Sequence, residues 1–137
     1  MELDKSLAVA FSGMSAQSER LQVIAENLAN VDSTAQTPGG KPYQRQVVTF
    51  ENVLNHQLGV DTVKVAGVTK VQGGFGRVYQ PGNPGADANG YVETPNVNSI
   101  TELMDMREAQ NTYDANLNVI NAAKSMLSRT IQLLQQG

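Results

Sequence analysis

Few side chains in this 137-residue sequence could carry out chemistry, and the most reactive of them is its single histidine, His56. A catalytic histidine needs a nucleophile within reach and an acid that orients its ring. The surrounding residues Leu54–Leu58 offer neither, and the sequence contains no cysteine that could act as a nucleophile or as a thiolate ligand. We therefore expect His56 to be an ordinary exposed or hydrogen-bonding side chain.

The segment Gly85–Gly90 has a weak similarity to a calcium-binding loop. Asp87 and Asn89 would occupy positions 3 and 5 of an EF-hand loop. Positions 1 and 12 would then be Gly85 and Asn96, so both of the acidic ligands at the ends of such a loop are missing. This pattern predicts a turn and no metal site.

The remaining candidates for chemistry also have structural explanations. The glycine-rich run Gly73–Arg77 lacks the ending of a phosphate-binding P-loop and the spacing of a dinucleotide fingerprint. Glu102, Asp105 and Glu108 lie about one turn apart where a helix should begin, and acidic residues there favour the helix dipole. No spacing recommends a glycosidase pair among the acids of the middle region, which are Glu51, Asp61, Asp87 and Glu93. The sequence thus predicts no catalytic residue, no metal ligand and no cofactor.

Composition excludes several further classes of protein. Only 17% of the residues are charged and the net charge is −3, without a Lys/Arg cluster, so we expect no binding to nucleic acid or to anionic membranes. No apolar run approaches the roughly 18 residues of a membrane span. The N-terminal sequence lacks the basic and apolar regions of a secretory signal. These features predict a cytoplasmic protein or one exported without a cleaved signal.

Prolines and glycines divide the chain into three zones. All five prolines and ten of the twelve glycines lie in residues 32–98, whereas the flanking zones contain Gly13 as their only interior glycine. We predict a mainly α fold with a small β insert. Its divisions are an N-terminal axial helix in 1–32, a turn-rich middle region with short strands in 33–98, and a C-terminal axial helix in 99–137.

Both predicted helices carry large apolar residues at alternating spacings of three and four, which predicts that they pair as a coiled coil. The predicted seam comprises Leu7, Met14, Leu21, Ile24, Leu28 and Val31 in the first helix, and Leu103, Met106, Tyr113, Leu117, Ile120, Leu127, Ile131 and Leu134 in the second. The second helix should begin with a capping box, in which Ser99 caps the helix and Glu102 reaches back to it.

The middle zone contains runs of β-branched residues that predict strands. These runs are Gln46–Phe50 and Thr62–Val65, with a possible continuation through Val68–Val71. Asn89 and Gly90 form a strong signal for a type I′ turn. About 65 residues with few large apolar side chains can build only a small core.

The apolar faces of the two helices are wider than one seam requires. Further apolar rows lie beside the seam at Val9, Ala16 and Val23, and at Val119, Met126 and Leu133. The middle zone is too small to cover the surplus, so neighbouring molecules should bury it. A monomeric helical hairpin with irregular patterning remains the alternative, because exposed apolar residues are common.

Several motifs resemble the signature of the flagellar axial proteins, the family of rod, hook and hook-associated proteins. The run Asn27, Leu28, Ala29 and Asn30 at the end of the first helix carries the family likeness. The later motifs are most similar to those of proximal rod subunits, and they are Tyr79–Val92, Pro95–Asn98, Glu102–Met106 and Tyr113–Asn116.

The resemblance implies a non-catalytic subunit that packs helically into the rod of the flagellar basal body, which crosses the periplasm and transmits motor torque. The implied partners are other copies of the chain, other rod proteins and the flagellar export apparatus. The terminal helices would form the inner layer of the tube. The Asn27 and Asn30 amides should tie the helix end to the following loop by side-chain-to-backbone hydrogen bonds, unless they only reflect the preference of Asn for helix ends.

Two other functions stay open on the residues alone. A helical-hairpin adaptor or chaperone of an export or secretion system would hold an amphipathic helix of its partner. An enzyme that acts on cell-wall glycan would need a pair of carboxylates across a cleft.

Overall fold

The structure is a computed structural model that describes residues 2–137. It confirms the predicted fold class, with long terminal helices and a small, short-stranded insert. In chain order the elements are α1 (Glu2–Ala29), β1 (Gln46–Asn55), β2 (Val60–Lys70), β3 (Gly76–Tyr79), β4 (Tyr91–Thr94) and α2 (Ser99–Gln136). Strands β1 and β2 form one two-stranded sheet, and β3 and β4 form another.

The described chain divides into two compact units, and each helix contributes to both. The first unit contains residues 2–21, 49–67 and 107–137, and the second contains residues 22–48 and 68–106.

In the first unit, segments of α1 and α2 run antiparallel and approach closely. Arg20 lies 3.6 Å from Glu108, and a Cβ added at Gly13 would lie 2.7 Å from the side-chain nitrogen of Asn116. The glycine in the helix interior therefore marks a close contact, which offsets its cost to the helix of about 1 kcal/mol. Ser12 accepts a 3.1 Å hydrogen bond from the amide of Val63, which ties β2 to α1.

In the second unit, β3 and β4 pair antiparallel from Gly76 opposite Thr94 to Tyr79 opposite Tyr91. Val92, on β4, is buried at 1% exposure. The connecting loop is longer than the predicted type I′ turn. That turn needs a positive φ at both central residues, and among the described residues only glycines have one, Gly90 included. The prediction for Asn89 was therefore wrong.

The start of α2 also differs from its prediction. Asn98, and not Ser99, caps the helix, because its side-chain oxygen accepts hydrogen bonds from the amides of Ile100 and Thr101 at 3.0 and 3.3 Å. The carboxylate of Glu102 points to partners elsewhere in the second unit. Those tertiary partners replace the local bond that a capping box would have made.

The loop between β3 and β4 packs tightly against the segment that follows α1. Gly85 is buried, and a Cβ at this position would clash with the backbone oxygen of Ala35. We expect Gly85→Ala to lower the free energy of unfolding by about 1–3 kcal/mol, because backbone must move to make room. Urea unfolding followed by circular dichroism measures this change.

Gly82 supplies the matched control, since it lies in the same loop and a Cβ there would meet no heavy atom within 4 Å. Gly82→Ala should leave stability unchanged within about 0.5 kcal/mol, or raise it slightly by restricting the unfolded chain. Equal unfolding curves for the two variants would contradict the packing argument.

Candidate assembly interface

The predicted seam residues divide into a packed group and an exposed group. Ile24 is buried, and the half-buried members are Leu7, Met14, Leu21, Leu28, Val31, Met106, Tyr113 and Ile120. The exposed members all lie on α2 and are Leu103, Leu117, Leu127, Ile131 and Leu134. These five residues, which we call the exposed apolar surface of α2, come from both predicted seam rows and lie open to solvent in the single chain.

Small and polar residues make the closest contacts of α2. Glu102, Ala109 and Ala123 are buried, and Asn116 lies against Gly13. These four positions of α2 are seven residues apart and form their own heptad row. Sequence reasoning missed this row because none of its members is a large apolar residue, although small side chains let helix backbones come close.

The first unit contains an apolar groove of about 570 Å³, which includes Leu127 of the exposed apolar surface of α2. Its apolar lining comes from both helices and consists of Leu3, Val119, Ala122, Ala123, Met126 and Leu127. An open groove of this composition, next to exposed leucines, has the character of a binding surface for another apolar helix.

A buried polar network, which we call the latch, organises the second unit around Asn27. The latch comprises Asn27, Tyr43, Arg45, Gln46, Asn96, Glu102 and Asp105. Asn27 is 1% exposed and uses both amide atoms. Its nitrogen donates to the Gln46 carbonyl at 2.8 Å, and its oxygen accepts from the Gln46 amide at 2.9 Å and from the Tyr43 hydroxyl at 2.8 Å.

The acidic side of the latch joins the start of α2 to the segment before β1. Glu102 is 0% exposed and accepts hydrogen bonds from the Arg45 guanidinium and, at 3.2 Å, from the Asn27 amide. Arg45 also donates to Asp105 at 3.1 Å. Since every one of these groups has a partner, the buried charge of Glu102 is compensated.

Asn27 and Asn30 therefore have different roles at the end of α1. The sequence predicted that both amides tie the helix end to the following loop. Asn27 bonds to Gln46, beyond the loop, whereas Asn30 donates 2.8 Å back to the Glu26 carbonyl of its own helix. Leu28 is half-buried and Ala29 is exposed.

Two titrating groups are shifted by their surroundings in the second unit. Burial raises the pKa of the Tyr43 phenol, and the nearby carboxylates of Glu26 and Glu102 raise it further, so the hydroxyl stays protonated and keeps donating to Asn27. The amide of Tyr91 lowers the pKa of Asp87 by donating to its carboxylate. Asp87 thus holds the turn that the sequence predicted in this segment.

The structure also locates the histidine that was considered as a catalytic residue. His56 is exposed in the turn between β1 and β2. Within residues 2–137, no cluster of three potential metal ligands is present. None of the helices described here combines the length and the apolarity that crossing a membrane requires.

Comparison with known proteins gives consistent relatives over nearly the whole chain. The family "Flagella basal body rod protein" matches residues 7–35, and "Flagellar basal body rod FlgEFG protein C-terminal" matches residues 88–133. The flagellar basal-body rod protein FlgC of Agrobacterium fabrum is 47% identical, covering 97% of this chain and 96% of its own. FlgC of Salmonella typhimurium is 44% identical over 93% of this chain and 94% of its own. FlgC of Bacillus subtilis is 36% identical over 93% and 95%, respectively.

Proposed function

This chain belongs to the FlgC family of flagellar basal-body rod proteins, and from that premise we propose that it is a structural subunit of the proximal rod that transmits motor torque. It assembles with other rod proteins in the basal body. In the same proposal the chain also packs helically against its own copies, and no step of its function is catalytic.

The exposed apolar surface of α2 is the observation that carries this proposal. Leu134 is 76% exposed and Leu103 is 54% exposed, although both lie in the predicted seam. Burying such a surface against a neighbour gains about 25 cal/mol for each Å² of apolar area. We infer that the residues 1–32 and 99–137 form the axial layer and that the residues 33–98 lie outside it.

Torque transmission follows from how such surfaces pack. Side chains along a helix insert between those of the facing helix, so that sliding one helix past another disrupts many contacts together. A helix as long as α2, with 38 residues, extends about 57 Å at 1.5 Å per residue. This length spreads the shear load over many contacts.

Delivery to the rod completes the proposal. We infer from its membership of the rod family that the flagellar export apparatus takes up the chain. The rod would then hold it in the periplasmic part of the basal body.

Basal bodies purified from a strain that expresses this chain in place of its own FlgC provide the test. We expect mass spectrometry to detect the chain in those particles, with its N-terminal peptide intact, and the strain to swim. Absence from the particles would contradict the rod assignment. A stable soluble heterodimer by light scattering, with no larger assembly, would favour the adaptor or chaperone instead.

A further inference from the structure

The second unit contains a polar recess of about 350 Å³, and none of the exposed apolar residues that the assembly argument uses lines it. Side chains that can form hydrogen bonds line it: Lys41, Tyr43, Gln44, Gln46, Lys70 and Gln72. Pockets for small organic ligands are lined mainly by apolar and aromatic side chains. Apart from Pro42 and the ring of Tyr43, the lining here is polar, so the recess differs from such a pocket.

The recess concentrates positive charge on an acidic chain. Lys41 and Lys70 are both exposed, and neither has a carboxylate partner among residues 2–137. The whole chain has a net charge of −3. A concave surface that carries two unpaired ammonium groups therefore attracts carboxylates from another molecule.

The latch holds the wall of the recess in place. Tyr43 and Gln46 line the recess and also bond to Asn27, at 2.8 and 2.9 Å. The amide of Val71, next to Lys70, donates to the Arg45 carbonyl at 2.8 Å. Because these bonds fix the backbone on both sides, a partner need not order the recess when it binds.

We propose that this recess docks an acidic segment, with Asp or Glu side chains, of an adjoining rod subunit. The inference rests on the proposed function, which supplies the adjoining subunits. The volume corresponds to about a dozen water molecules, enough to admit more than one side chain. Small anions are favoured by an arginine fork or a helix N-terminus, and neither lines this recess.

A binding experiment with the folded chain tests the docking chemistry. The probe is a hexaglutamate peptide, titrated by NMR at low salt, with inorganic phosphate in a parallel titration. We expect the peptide to shift the signals of the recess residues and its affinity to fall about tenfold in Lys70→Glu, because one attraction becomes a repulsion. Raising the salt to 0.3 M should weaken binding of the wild-type chain.

Lys64→Glu is the matched control, since Lys64 is an exposed lysine of the same strand that does not line the recess. Its affinity should stay within about twofold of the wild type. Equal loss in both variants, or no loss in Lys70→Glu, overturns the proposal. Phosphate binding as tight as that of the peptide also overturns it, because the recess would then be a site for small anions.

An experiment in cells distinguishes a failure of this inference from a failure of the proposed function. We expect the Lys41→Glu, Lys70→Glu double variant to melt like the wild type, because both side chains are exposed, but to reduce swimming and incorporation into basal bodies. Normal swimming and incorporation of that variant would refute the docking role while the rod assignment stands. Absence of the wild-type chain from basal bodies would refute the rod assignment, whatever the peptide titration shows.

Discussion

Glu102→Ala is expected to lower the free energy of unfolding by about 2–4 kcal/mol. The substitution removes a carboxylate that is 0% exposed, so that the Arg45 guanidinium keeps only its bond to Asp105 and the Asn27 amide nitrogen keeps only its bond to the Gln46 carbonyl. The Arg45 side chain is 24% exposed, so solvent replaces the lost partner only in part. Urea unfolding followed by circular dichroism measures the loss.

Glu108→Ala is the matched control for this prediction. Glu108 also lies on α2 and pairs with an arginine, but its side chain is 68% exposed and the ion pair with Arg20 measures 3.6 Å. Its loss should cost less than about 1 kcal/mol. Glu102→Gln should fall between the two alanine variants, since it retains an acceptor for one donor and loses the charge. Equal stabilities of Glu102→Ala and Glu108→Ala would refute the importance of the latch.

The sequence was sufficient to predict the two helices and the strands β1 and β2, because local composition determines them here. Proline-free flanks with heptad spacing predicted both long helices, and β-branched runs predicted β1 and β2. Strand β1 is longer than predicted, since it continues to Asn55, and β2 passes through Gly67 to Lys70, in line with the continuation considered from the sequence. Pairing with β1 carries β2 across Ala66 and Gly67, which are weak strand formers, and the β-branched run alone did not reveal that pairing.

The latch could not be predicted, because its members are far apart in sequence. Asn27 and Glu102 are separated by 75 positions, and Arg45 and Glu102 by 57. Glu102 fitted a local motif with Ser99 that accounted for its position, so nothing in the pattern indicated a distant partner. Only the fold shows that burying this carboxylate against Arg45 prevails over the local cap.

The exposed apolar surface of α2 was predicted only in part. Periodicity identified large apolar residues on α2, but it could not distinguish those that face α1 from those left exposed. That choice depends on the row containing Ala109 and Asn116, which fits closely against α1 where Gly13 has no side chain. Hydrophobic periodicity gives the most weight to large apolar side chains, whereas the closest contact between α1 and α2 involves small side chains.

Combining Ile131→Asp with Leu134→Asp should abolish swimming without destabilising the isolated chain. The two side chains are 46% and 76% exposed, so the folded monomer should change by less than about 0.5 kcal/mol for each substitution. In an assembled rod the same positions would be buried, where an unpaired carboxylate costs several kcal/mol. Soft-agar swimming, the chain's content in purified basal bodies and the melting temperature of the monomer are the measurements.

Gln132→Asp distinguishes loss of the exposed apolar surface of α2 from added charge. Gln132 is exposed on the same turn of α2 and lies outside both predicted seam rows, so this variant should swim and enter basal bodies normally. If a strain with both seam substitutions swims, the exposed apolar surface of α2 is not buried in the rod. Equal loss of swimming in Gln132→Asp would show that any negative charge at this end of α2 blocks assembly, and the argument from apolar burial would then fail.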